Sequence, residues 1–134
     1  MRILAFAVLA YTAVMLVIHL SSWKLLQRWA GAGNSWAKRW FSARVALRVE
    51  TVYWLLVLAV WPLWPSAGWK TVVAVFAVIH FGAWLLWELQ AIRAGGLLAM
   101  PMKAHRFIVA FDLVEAGALV AIAWFAVSHL LRVG

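Results

Sequence analysis

The sequence predicts an all-α integral membrane protein, a bundle of four transmembrane helices with an amphipathic interfacial helical segment between the first and second spans. Three observations carry this. Of the 134 residues, 68% are hydrophobic and only 12% charged, whereas a water-soluble domain carries roughly a quarter charged residues. The mean hydropathy of +0.96 means that most of the surface faces something other than water. Finally, the apolar residues gather into four runs close to the ~20 residues that a helix needs to cross a bilayer. None of the runs alternates polar with apolar in the manner of a barrel strand, so the backbone closes its hydrogen bonds within helices. The length admits one membrane domain, 1–134, and the absence of cysteine excludes disulfides, thiolate metal sites and cysteine nucleophiles.

The spans fall at about 3–20, 45–61, 69–92 and 106–129. Trp61-Pro62 and the breaker-rich Trp64-Pro65-Ser66-Ala67-Gly68 make a tight turn between the second and third, which are therefore an antiparallel hairpin. Gly95-Gly96 and Pro101 punctuate the link to the fourth, with Pro101 placed just ahead of a first helical turn. The opening run is long for a signal peptide and reads as a retained span. Lys24, Arg28, Lys38, Arg39, Arg44, Arg48, Arg93, Lys103 and Arg106 lie at one end of the bundle, against Arg2, Lys70 and Arg132 at the other. The positive-inside rule then puts both termini outside the cytoplasm, and the arginine- and alanine-rich composition fits a bacterial inner membrane.

The connection 21–44 is unusual in holding Trp23, Lys24, Arg28, Trp29, Trp36, Lys38, Arg39, Trp40 and Arg44. Trp23, Leu26 and Trp29 share one helical face and Lys24, Gln27 and Arg28 the other, the pattern of a helix lying in the membrane interface. Beyond Gly31 to Gly33, Asn34 or Ser35 is placed to cap a second short helix. The expected partners are membrane lipids with anionic headgroups, which account for the net charge of +8 better than nucleic acid does. Trp23, Trp29, Trp36, Trp40, Trp61, Trp64 and Trp69 fall at expected interfaces and need no further role, whereas Trp54, Trp84, Trp87 and Trp124 lie inside spans.

All four acids, Glu50, Glu88, Asp112 and Glu115, fall inside spans, where an ionisable group is by default a functional hypothesis. At a rise of about 1.5 Å per residue they occupy the half of the bundle nearest the basic end, and His80 stands at the depth of Glu115. Asp112 and Glu115 share a helix face, with His105 on nearly the same line. Arg48, Arg93 and Arg106 are the cations expected to set the charge balance, and Trp54, Trp84 and Trp87 the expected aromatic walls.

Several chemistries are set aside. Haem requires two axial ligands at one depth, but His80 is central, His19 and His105 belong to the basic end and His129 to the outer end. No Glu-x-x-His pair supports a di-metal centre, no metal site is expected, and no phosphate loop or nucleophile elbow occurs. Ser21, Ser22, Ser42 and Thr51 are expected to bond locally to the backbone. The stretch Arg44 to Leu56 (RVALRVETVYWLL) resembles, over a dozen residues, the second helix of the small membrane enzymes of eicosanoid and glutathione metabolism. The characteristic asparagine of that family is absent upstream of Glu50, and no catalytic role or glutathione site is carried over.

The expectation is a small membrane protein that binds, with transport or modification as an extension, a lipid-like or amphiphilic molecule through the charged cluster. Two alternatives stand beside it. One is a proton-coupled small-molecule transporter in which Glu115 and His80 exchange a proton. The other is an accessory subunit of a larger membrane complex, docking as a homo-oligomer or on a partner through small residues such as Ala116, Gly117 and Ala121. No cofactor is named by the sequence.

Overall fold

The computed structural model of the chain describes residues 2–30, 41–90 and 102–132, with the side chains of 30, 87–90 and 102 left out. Trp36, Lys38, Arg39, Trp40 and Arg93 therefore lie outside the described residues, as does the second interfacial helix. Trp87 and Glu88 lie on a helix whose side chains there are not described.

Five α-helices follow in order: α1 (Arg2–Leu20), α2 (Ser22–Ala30), α3 (Ala43–Ala59), α4 (Ala67–Gln90) and α5 (Met102–Arg132), with a single 3₁₀ turn at Trp61–Leu63 between α3 and α4. No strand occurs among the described residues. Three helices, α1, α4 and α5, are long and apolar enough to cross a membrane. The fourth expected span, α3, has 17 residues and carries Arg44, Arg48 and Glu50 on its first half.

Helix boundaries follow local chemistry. Ser42 caps α3 by accepting from the Val45 N–H at 3.3 Å, one of the orphan donors of a helix N-terminus. Ser66 does the same for the Trp69 N–H on α4. Pro62 sits inside the 3₁₀ turn, where its missing N–H breaks no helical bond. Thr51 returns its hydroxyl to the Leu47 carbonyl at 2.8 Å, the local bonding expected of it.

The interior is built on heptad-like seams. Ala5, Val8, Thr12, Met15 and His19 are the buried stripe of α1, and Glu115, Leu119, Ile122 and Ala126 that of α5, both with the alternating three- and four-residue steps of left-handed helix packing. On α3 the buried stripe is Ala46, Tyr53, Trp54, Val57 and Val60. These residues join Trp64, Val73, Phe76 and Ala77 in one core. Outside it, large apolar side chains such as Ile3, Val78, Phe107, Val120 and Trp124 are exposed all round the bundle, a surface compatible with contact to lipid.

One tryptophan assignment changes. Trp64, expected at the interface, is buried at 2% exposure: its indole N–H reaches the Val57 carbonyl at 3.2 Å and its ring meets Phe125, because the 3₁₀ turn folds the chain back over the end of the core. Trp124, on the long apolar helix α5 as expected, points outward.

The amphipathic α2 docks on α5 and α1 through Ser22 and Leu26, both buried, while Lys24, Gln27 and Arg28 stay exposed. Trp23 lies at the rim of that docking face, more than one third exposed, rather than on it with Leu26. Trp29 donates its N–H to the Phe41 carbonyl at 2.7 Å, tying the end of α2 to the entry of α3.

The α1–α5 seam leaves no room for growth at Ala126, which is fully buried. Ala126→Leu should destabilise the detergent-solubilised protein by about 1–3 kcal/mol through overpacking. Ala110→Leu, on the exposed face of α5, should be within about 0.5 kcal/mol of wild type. Denaturant titration followed by tryptophan fluorescence compares the two.

Candidate functional site

Each of the four long helices places one polar or aromatic group on the seam at the same depth, and the groups meet around the carboxylate of Glu115. From α1, His19 brings Nε2 to 3.1 Å from Glu115 Oε2. From α4, His80 brings Nε2 to 3.2 Å from the same oxygen. From α3, Trp54 donates its indole N–H to Glu115 Oε1 at 2.9 Å. His19, His80, Trp54 and Glu115 are all at least nine-tenths buried.

The rings are aimed by their own helices. His19 Nδ1 lies 2.8 Å from the Met15 carbonyl and His80 Nδ1 2.7 Å from the Phe76 carbonyl, each four residues back. A carbonyl oxygen only accepts, so Nδ1 carries the hydrogen in both rings. In the neutral imidazole the Nε2 lone pair is then left facing Glu115. The Trp54 ring fixes the third side, stacked on Phe76 at 5.2 Å and on His80 at 5.6 Å. Two turns back along α1 from His19, the Thr12 hydroxyl lies 2.9 Å from that of Tyr53. Thr12 donates to the Val8 carbonyl, so Tyr53 is the donor to Thr12. Tyr11 donates to the Val49 carbonyl at 2.9 Å, a second link from α1 to α3.

Toward the basic end the surroundings become polar. Glu50 Oε2 lies 3.8 Å from His80 Nε2, with its side chain 14% exposed. Asp112, half-buried, interacts with the Ser22 side chain. Toward the outer end the centre is closed by the apolar core of Val57, Val60, Trp64, Val73, Leu119 and Ile122.

Of the expected site residues, the structure brings together Glu50, His80, Glu115 and Trp54, with Asp112 at the margin. Arg48 and Arg106 are exposed, and the groups that touch the Glu115 carboxylate are histidines and an indole rather than arginines. Trp84 is half-buried and contacts Phe81.

The residue that sequence reasoning misplaced is His19. It stands one residue from the end of α1 and was expected at the membrane surface, yet it is 2% exposed. The reason is the length of α5: its 31 residues run past the end of α1, and α2 folds back over that end. The available signal was Thr12 and His19, the polar residues of α1 other than Arg2 and Tyr11, separated by one heptad and so on one face. His105, also expected at the surface, is likewise buried.

No family model, curated protein or solved structure matches the chain, so the chemistry of the centre is read from its geometry.

Trp54→Phe keeps most of the ring stack and removes only the indole donor to a buried carboxylate, a bond of the charge-assisted kind worth about 1.5–3 kcal/mol. Trp64→Phe removes a longer bond to a neutral carbonyl, worth about 1 kcal/mol. The first should therefore lower stability in detergent by roughly twice as much as the second, and equal losses would show that the Glu115 contact carries no charge.

Proposed function

We propose that the chain is a proton-coupled membrane transporter that crosses the bilayer four times, with the His19–Glu115–His80 centre as its proton-exchanging site. One observation carries the reading: a single buried carboxylate oxygen lies within hydrogen-bonding distance of Nε2 on histidines from two other helices. Such a trio holds a shared proton and passes it between groups without large movement. Glu50, which is partly exposed and 3.8 Å from His80, is the next group toward the basic end. The apolar core on the other side supplies the barrier that a one-sided site needs.

The fourth crossing is α3. Its 17 residues extend about 26 Å at the helical rise, and the 3₁₀ turn that follows adds about 6 Å, which together match a hydrocarbon core of about 30 Å. The basic end then faces the cytoplasm, with both termini outside and α2 against the inner leaflet, where Trp23, Lys24 and Arg28 meet anionic headgroups.

The amphiphile reading asks for room beside the centre. The described open groove, about 580 Å³, lies on the outer face of α4 between Trp61 and Ile79, and none of the three central residues lines it. Docking on a partner subunit is the other alternative, and the exposed apolar faces of α4 and α5 are where it would occur.

Reconstituted vesicles loaded with a pH-sensitive dye test the proposal. Under an imposed potassium-diffusion potential the wild type should take up protons at least tenfold faster than protein-free vesicles. Glu115→Gln, which keeps an acceptor for Trp54, should fall to within twofold of empty vesicles, and a hydrophobic carbodiimide should do the same to the wild type. Wild-type vesicles no faster than empty ones would overturn the reading.

A further inference from the structure

We propose that His19 Nε2, His80 Nε2 and Glu115 Oε2 bind a divalent first-row transition metal of the zinc type. The inference takes up the site of the preceding proposal and names its ligand class.

The geometry argues for it first. The three ligand atoms lie within 4.8 Å of one another, and they come from three different helices. For metal–ligand bonds of about 2.0–2.1 Å, neighbouring donors stand about 2.9 Å apart at a right angle and about 3.3 Å apart at the tetrahedral angle. The observed separations from Glu115 Oε2, 3.1 Å to His19 and 3.2 Å to His80, fall between these limits, while the two imidazole nitrogens, within 4.8 Å of each other, close on the ion as it binds.

The second argument is that two of the atoms lack any hydrogen-bond partner. His19 Nε2 and Glu115 Oε2 are fully buried, and despite their closeness neither makes a hydrogen bond of acceptable geometry. Buried polar atoms left in this state are rare. Here the nitrogen and the oxygen stand side by side, 3.1 Å apart, the placement of two ligands of one ion.

The third argument is the support behind the ligands. A metal-binding histidine typically uses its other ring nitrogen to donate to a carbonyl or carboxylate, which fixes ring and tautomer. Both histidines do so, to Met15 and Phe76. The Trp54 N–H holds Glu115 Oε1 and so leaves Oε2 as the free donor. Two imidazoles and one carboxylate on one side of an ion leave the remaining positions open, and the absence of cysteine excludes the thiolate sets that select softer metals. Glu50, 3.8 Å from His80 Nε2, is the nearest further oxygen.

Charge completes the case. The groups touching Glu115 are two imidazoles and an indole, none of which is a fixed cation. A metal binds through the same lone pairs that a proton would take, so an arriving ion displaces any proton held on Nε2 or Oε2.

The test uses the purified full chain in detergent, stripped with a chelator and titrated with Co(II) as a spectroscopic stand-in for zinc. The wild type should bind one equivalent, with visible d–d absorption that Zn(II) abolishes, and should release protons into a weakly buffered solution. His19→Gln, His80→Gln and Glu115→Gln should each weaken binding at least 100-fold. His105→Gln and His129→Gln should bind as the wild type does. Gel-filtration profiles identify any variant that fails to fold, and Trp54→Phe then serves in its place, with binding weakened about tenfold because it leaves the ligands intact. No Co(II) bound by the wild type, or binding that survives the His19 and His80 substitutions, would overturn the metal site. The two proposals fail separately: metal bound without vesicle proton flux retires transport and keeps the site, whereas Glu115-dependent flux without bound metal does the reverse.

Discussion

A carboxylate removed from water must be compensated by whatever touches it, and each group that touches Glu115 arrives from a different helix. His19 belongs to α1, Trp54 to α3 and His80 to α4, while Glu115 itself stands on α5. In lipid this constraint has unusual weight. The tails outside are as apolar as leucine side chains inside, so burial of hydrocarbon gives little preference for one helix face over another. Polar contacts then decide which faces turn inward. A rotation of any one helix by a single residue, about 100°, would carry its member of the cluster out of reach.

The layers on either side follow from the same centre. On the outer side, Trp54 stacks on Phe76, and Tyr53, Val57, Leu119 and Ile122 continue the packing to the hairpin turn, where Trp64 closes it. On the basic side, Glu50, Asp112 and Ser22 keep a line of polar groups toward the end of the bundle. The two halves therefore differ in permeability to charge: one is a dry aromatic and aliphatic wall, the other a succession of groups able to hold a proton or an ion.

The sequence makes the helices legible and their faces much less so. Hydropathy locates α1, α4 and α5, and the proline-rich turn locates the α3–α4 hairpin, because length and breakers act locally. Facing direction is usually read from apolar periodicity, and here that signal is weak because lipid-facing positions such as Val78 and Val120 are as apolar as the core positions Val73 and Leu119. The informative positions are the few polar residues within spans. Depth arithmetic puts His80 level with Glu115, since both are counted along long unbroken helices. It misplaces His19 because the end of α1 is not the end of the bundle: α5 continues beyond it and α2 covers it. The role of Trp54 could not be read either, since a tryptophan inside a span serves equally as wall, lipid contact or hydrogen-bond donor, and only the position of the opposing carboxylate distinguishes these.

The way the two histidines are aimed explains how a membrane helix can present a ligand atom at low cost. A helix interior has no spare N–H to orient a side chain, but the carbonyl four residues back retains a free lone pair. An imidazole that donates Nδ1–H to it lies along its own helix and projects Nε2 across the seam. His19 and His80 use this same device on different helices, so the direction of each ring is set locally, before the helices associate. What remains for tertiary packing is to bring two preset lone pairs to one carboxylate oxygen, and the Trp54 hydrogen bond settles which oxygen of Glu115 that is. The centre is thus preorganised by contacts that leave two of its converging atoms, His19 Nε2 and Glu115 Oε2, free of other bonds, the condition under which a small cation or a proton finds its ligands already in place.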